Sequence, residues 1–273
     1  MSYRLALRAP LLALALTSSA WAESNLILNG SLDRGAGAPP ADSTGMVHIG
    51  SVNSTAITNW TITEGTVDLV PTGYWDAPAG MAYSLDLIGT PGESTTVNSG
   101  GLTAAAAPAS TSQLGQISQQ VSTVAGDTYQ LTFDMSVNPL TSPLREYASI
   151  KRLLVEAVWT NGQTERVLAS RTYELARGTR HADNMEWLAD TQVDSAHEPF
   201  TFKADGNTTI RFTALMPLNL PSNATDSTVY CGPALANVGL TLLGGGEPVP
   251  EPASLGLLGV GVSALLLRRR RGR

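Results

Sequence analysis

A single cysteine, Cys231, stands among the 273 residues. No intrachain disulfide can form, so the fold must hold without a covalent staple. The thiol reads as a small buried apolar group, because no His or Asn/Asp constellation marks it as a nucleophile. Three histidines, His48, His181 and His197, show no metal-ligand spacing. Gly-x-Ser-x-Gly elbows, His-Glu-x-x-His motifs and phosphate-binding glycine loops are all missing, and with them the usual signatures of serine hydrolases, zinc proteases and nucleotide enzymes. Acidic residues are plentiful, yet nothing singles out one pair as the two carboxylates of a glycosidase. Basic residues are scarce where they would matter. Of 17 Lys and Arg, seven lie at the extreme ends (Arg4, Arg8, Arg268, Arg269, Arg270, Arg271, Arg273), leaving ten against 23 Asp and Glu. That balance excludes a nucleic-acid partner, which needs a basic face, and suits an acidic, soluble surface outside the cell.

The two ends carry addresses. Arg4 and Arg8 precede the short apolar run Pro10 to Leu16, and Ala20-Trp21-Ala22 places small residues at Ala20 and Ala22. Residues 1–22 therefore read as a signal peptide cleaved before Glu23; the run is too short for an anchor helix, which needs roughly 20 residues. After a linker at 244–248, the stretch 249–273 opens with Pro250-Glu251-Pro252, continues as an apolar run at 253–267, and ends in Arg268, Arg269, Arg270 and Arg271. Clustered arginines resist translocation, so the tail should arrest as a transmembrane helix in the inner membrane with the preceding domain outside. Motif, span and arginines in this order resemble the PEP-CTERM sorting signal of Gram-negative bacteria. The resemblance implies recognition by an exosortase-type membrane protease, cleavage near Pro250-Glu251-Pro252, and a host that makes exopolysaccharide.

Between the ends, residues 23–243 form one sizeable domain. Several segments alternate with period two. Tyr129, Leu131, Phe133 and Met135 oppose Gln130, Thr132 and Asp134. Tyr83, Leu85 and Leu87 oppose Ser84 and Asp86. Phe200/Phe202, Ile210/Phe212/Ala214 and Val238/Leu240/Leu242 behave alike. Each pattern predicts a strand with one apolar face. Asn161-Gly162 between two such runs predicts a hairpin. Residues 90–112 are low in complexity and read as an inserted loop. The polar stretch 179–197 reads as a long loop or a short helix around Asn184 to Leu188. Many short strands at this spacing predict an all-β, two-sheet antiparallel sandwich of jelly-roll type.

A second resemblance spans nearly the whole domain. Its pieces are Asn25 to Ser31, Asn59-Trp60-Thr61 with Gly65 to Asp68, Tyr74-Trp75 with Gly80 to Leu87, Gly115 to Gln119 with Ala125 to Tyr129, and Gly232 to Val238. In this order they resemble the bacterial choice-of-anchor C proteins, which implies a galactose-binding-like jelly roll. In related jelly rolls acidic residues near the opening and closing motifs help hold a structural calcium. Here Leu32-Asp33 stands where Phe-Glu is usual, and Ala236 where an acid is usual. The resemblance thus leaves Asp33 and the neutral oxygen of Asn237 as calcium donors, expected to meet near one point; the alternative is that Asp33 is an ordinary turn residue.

With no catalytic constellation, aromatics lead. Sugar rings have apolar faces that stack on aromatic rings, while acidic and amide groups take the hydroxyls. Tyr74, Trp75 and Asp76 combine these chemistries in a turn bounded by Pro71, Gly73 and Pro78, and Trp187 is a further candidate. Trp60 reads as a core anchor, and Trp75 fits either role. The sequence predicts a non-enzymatic surface or matrix protein associating with extracellular polysaccharide. A purely structural matrix protein and a glycoside hydrolase are the alternatives.

Overall fold

Period-two alternation becomes two antiparallel sheets in the computed structural model, which describes residues 24–50, 55–75, 77–89, 114–137, 150–176, 186–194, 198–218 and 232–244. The signal peptide, Asp76, the 90–112 insertion, Cys231 and the tail with its membrane segment lie outside these residues. Among the described residues no helix is long and apolar enough to cross a membrane.

The larger sheet contains β1 (Val47–Ile49), β3 (Val67–Pro71), β4 (Tyr83–Asp86), β12 (Pro233–Gly244), β6 (Thr128–Val137) and β10 (Thr201–Lys203) in that spatial order, with β9 (Leu188–Ala189) also paired to β6. The smaller sheet runs β2 (Thr61–Glu64), β5 (Gln116–Val121), β11 (Thr208–Leu218), β7 (Ile150–Thr160), β8 (Glu165–Ala176). The last strand of the chain, β12, is interior to its sheet, between β4 and β6. The sheets bury their facing sides against each other. Tyr129, Leu131, Phe133 and Met135 are all buried, as are Ile210, Phe212 and Ala214 across from them. Phe133 sits at the centre, edge-on to Tyr173 at 4.9 Å and to Phe212 at 5.4 Å between ring centroids, the geometry the ring quadrupoles favour. Trp60 is buried against Phe212 and donates its indole N–H to the Asn29 carbonyl at 3.0 Å.

The Asn161-Gly162 hairpin joins β7 to β8. Gly162 takes φ 90°, a conformation open to glycine at no steric cost, while the Asn161 side-chain oxygen accepts from the Gln163 and Thr164 amides.

Three expectations shift. In β4 both faces are buried, because a second small cluster of Val70, Trp75 and Ala234, flanked by Met46 and Trp187, covers the far side of the larger sheet. Asp86 is therefore only 2% exposed, and its Oδ1 accepts from the Ile88 and Gly232 amides at 3.0 and 3.1 Å. Leu242 is 38% exposed, since β12 runs past the core at its C-terminal end. The helix of the 179–197 region lies beyond the expected Asn184 to Leu188: α1 is Asp190–Val193, and Leu188 belongs to β9.

The opening segment lies beside β12 where β4 stops. β4 pairs only with Ala234 and Leu235; beyond them Val238 donates to the Gly30 carbonyl at 3.0 Å and Leu26 donates to the Leu240 carbonyl at 2.8 Å. Asn25 Oδ1 accepts from both Ile27 and Leu240 amides. Gly30 is required there, because a Cβ would collide with the Val238 carbonyl. On the other side, Gln119 accepts from the Leu28 amide and donates to the Leu28 and Asn59 carbonyls at 2.7, 2.8 and 3.1 Å, tying the segment to the smaller sheet.

Between the sheets α1 packs against β6, β8 and β9. Asp190 is 3% exposed and its Oδ2 has no hydrogen-bond partner among the described residues. Burial pushes its carboxyl above the ordinary value, against amide bonds from Thr191, Phe133 and Asp190 itself and the charge of Arg171. Burial likewise pushes the Tyr173 hydroxyl up to about 12.

Two outcomes follow from this packing. Phe133→Ala should destabilise the domain by about 3–5 kcal/mol, the range for emptying a core aromatic site, measured by denaturant unfolding. Asp190→Asn should flatten part of the pH dependence. A carboxyl raised above its unfolded value of about 3.9 favours folding fully only below that pH, and the contribution is lost as pH rises through the folded value. The neutral amide should therefore melt higher than wild type at pH 7, the difference closing towards pH 3–4 in a thermal melt series.

Candidate functional site

The outward side of the smaller sheet is a polar lattice. Alternation turns Ile117, Phe212, Val155 and Leu153 inward, so Gln116, Ser118, Thr213, Arg211, Glu156 and Arg152 point the other way. Register then aligns them in rows: Ser118, Arg211, Glu156 and Ser170 in one, and Gln116, Thr213, Leu154 and Thr172 in the next. Thr63 Oγ1 donates to Gln116 Oε1 at 2.6 Å, and Gln116 Nε2 donates to Thr213 Oγ1 at 2.8 Å. Arg211 donates through Nη2 to both carboxylate oxygens of Glu165 at 3.1 and 3.2 Å and faces Glu156 at 3.7 Å. Its Nε is buried and has no partner among the described residues. Arg152 donates to Glu174 at 3.0 Å at the outer edge. Gln116, Ser118 and Thr213 are buried at 8%, 9% and 9% exposure, so the groups of this array open to a polyhydroxylated ligand are Glu165 and the partly exposed Arg211 and Glu156. Sequence reading placed these strands and missed the face, since polar residues opposite an apolar stripe are also what plain solvent exposure produces.

The aromatic candidates separate. Tyr74 is 43% exposed, its backbone N–H held by the Pro71 carbonyl at 2.8 Å. Trp75 is only 5% exposed and packs with Val70 and Ala234, with Met46 and Trp187 alongside. The reading of Trp75 as a solvent-facing sugar platform is thus corrected: the 71–83 hairpin folds back over the larger sheet, and the indole fills the apolar gap there. Trp187 is half-buried on the same cluster. Asp76 lies outside the described residues. Beside this cluster His48 bridges two acids, Nδ1 to Asp68 Oδ1 at 3.0 Å and Nε2 to Asp42 Oδ2 at 3.3 Å. Burial raises the Asp42 carboxyl, but bonds from Thr44, His48 and Met46 outweigh it and leave it below the ordinary value. The turn that carries Met46 is thereby fixed to the sheet edge.

Each of the expected calcium donors has a protein partner. Asp33 Oδ2 accepts from Ser31 Oγ at 2.8 Å within its own turn, and Asn237 donates its amide to Asp134 at 3.1 Å. Ca²⁺ takes six to eight oxygens, and among the described residues no group of three or more His, Cys, Asp or Glu is placed to hold a metal. The turn instead closes through Asn29, whose Oδ1 accepts from the Asp33 amide and whose Nδ2 donates to the Asp33 and Thr58 carbonyls.

Trp75→Ala should therefore cost about 3 kcal/mol of stability, a typical loss for emptying a buried Trp site, read as a fall in the denaturant midpoint. Tyr74→Ala should leave that midpoint within about 0.5 kcal/mol, as surface changes do.

Among solved structures, one described as "CBM4 structure and function" is 13% identical over 79% of this chain and 99% of that one, with a TM-score of 0.35. "TmCBM61 in complex with beta-1,4-galactotriose" is 13% identical over 68% and 89%, at 0.32. A "non-crystalline cellulose specific carbohydrate-binding module: CBM28" is 12% identical over 71% and 86%, at 0.30. At these TM-scores the likeness carries no argument, and the fold is read from the strand pairing. No curated protein matches. The PEP-CTERM protein-sorting motif matches residues 248–271, which implies an exported precursor recognised by an exosortase and processed at the membrane. The family model "Protein of unknown function (DUF642)" matches residues 25–241; the chain belongs to that family and ends in a PEP-CTERM sorting motif.

Proposed function

We propose that this is a non-catalytic surface or matrix protein of a Gram-negative bacterium, a choice-of-anchor C type domain that associates with extracellular polysaccharide after its tail is processed. The observation that carries the reading is the polar lattice around Gln116, Thr213, Arg211 and Glu156 on a chain whose sorting tail marks it as an exported precursor. The groups are preorganised by strand register and by each other, so a ligand meets donors and acceptors already in place. Arg211 is the central residue, because its guanidinium joins Glu156 and Glu165 and its side chain is 21% exposed. A separate candidate surface is Tyr74, the exposed ring beside the Trp75 cluster on the outer face of the larger sheet, away from the lattice; it would stack on a sugar face by itself.

The test is retention on immobilised bacterial exopolysaccharides. Arg211→Ala should weaken retention about tenfold, the loss of one charge-assisted bond of ~1.5 kcal/mol. The melting temperature should fall modestly, because Arg211 and Glu156 are only 21% and 16% exposed, so Arg211→Lys, which keeps the charge, serves as the stability control. Loss on Tyr74→Ala with Arg211→Ala unaffected would move the site to the hairpin. Wild type retained on no polysaccharide would leave the purely structural matrix reading. Release of new reducing ends during the assay would mean a hydrolase.

A further inference from the structure

We infer that the end of the sandwich from which both chain ends leave is a membrane-docking surface, occupied by the phospholipid surface while the tail still anchors the protein. The inference rests on the reading of the tail as a membrane-arrested sorting signal.

Register separates the two ends of the sandwich. At one end Val121 pairs with Thr208 and Thr208 with Trp159 in the smaller sheet, and Gly244 pairs with Thr128 and Thr128 with Lys203 in the larger. Tight turns close that end, and two are stitched together by Gly126 donating to the Ala204 carbonyl and Ala204 donating to the Asp127 carbonyl at 2.8 and 2.9 Å. At the other end Val137 pairs with Pro233 and Ile150 with both Leu218 and Ala176. β12 has 12 residues, so the ends lie about 36 Å apart at ~3.3 Å per residue.

Both chain ends belong to the first. β12 finishes there at Gly244. The opening segment runs antiparallel to it, Gly30 beside Val238 and Leu26 beside Leu240, which carries Ser24 towards Leu242. The domain is thus joined on one side to the signal-peptide cleavage point and on the other to the tail. Gly244 and the start of the apolar run at Ala253 are nine positions apart, a reach of at most about 30 Å. An anchored domain is held by a tether shorter than its own strands, with this end nearest the bilayer.

The surface suits that neighbour. Val124, Leu242 and Leu243 are 62%, 38% and 49% exposed. Val124 and Leu242 flank Tyr129, whose hydroxyl accepts from the Val124 amide at 2.9 Å and which stands opposite Leu242 in the ladder. Trp159 sits at the same rim with the Arg166 guanidinium 5.6 Å from its ring centre, an aromatic–cation combination at home at headgroup level. Isolated exposed apolar side chains need no explanation; these surround the point where the chain departs for the membrane. Charge at this rim balances, with Arg166 paired to Asp205, Glu165 to Arg211, and one acid and one base, Asp127 and Lys203, besides, so an otherwise acidic domain carries no net negative charge towards anionic headgroups here.

The full chain reconstituted in phosphatidylethanolamine–phosphatidylglycerol vesicles provides the test. In a Cys231→Ser background, Val124→Cys, Leu243→Cys and the far-end Leu218→Cys each receive an environment-sensitive fluorophore, and spin-labelled lipid serves as quencher. Labels at 124 and 243 should shift to the blue and be quenched several-fold more than the label at 218. Equal quenching at all three sites, with a label at Leu258→Cys in the tail strongly quenched, overturns the docking surface and leaves the anchoring reading intact. An unquenched tail label overturns both.

Discussion

The fold depends on one junction, the seam between the opening segment and the last strand. β4 covers only the first part of β12, and a bare ladder edge along the rest would leave main-chain groups unpaired beside the core. Asn25, Leu26 and Gly30 supply the missing partners. The exchange requires a close approach at Gly30 and a bulge in β12, where Asn237 takes φ 49° and the register slips between Ala236 and Gly239. Asn tolerates that conformation better than most residues. Gln119 then fastens the same segment to the opposite sheet, so one short stretch of chain holds both layers.

Which parts of this were legible in the sequence follows from what each signal reports. Alternation reports a single buried face, so the strands around Phe133 and Phe212 were placed correctly. Where both faces are covered the signal fails. Ser84 and Asp86 read as a solvent side and are instead buried under the Trp75 cluster, because the side chains that cover them, Trp75 in the preceding hairpin and Ala234 in β12, lie outside β4's own alternation. The motif-like asparagines were legible as a family resemblance, but their work was not. Asn25 and Asn29 hold main-chain groups in the opening turn, work that single letters do not announce.

The candidate site was legible only in part for a related reason. An exposed tyrosine next to a buried tryptophan cannot be told apart from the reverse by two adjacent letters, since a turn decides which ring meets the sheet. The polar lattice is harder still. Gln116, Arg211 and Thr213 are far apart in sequence, and only the antiparallel register of β5 and β11 makes neighbours of them. What distinguishes the lattice from an ordinary wet surface is that its members bond each other across three strands.

The interior place of β12 has a consequence for how the protein is made. Asn25 bonds a strand 215 positions away, and the larger sheet has β6 and β4 separated until their common neighbour arrives. A chain crossing a membrane from its N-terminus cannot assemble that sheet while its last strand is still on the near side. Such distant pairings also form slowly. The topology therefore leaves the larger sheet incomplete, and β4 and β6 without their shared neighbour, until the segment just ahead of the tail is available.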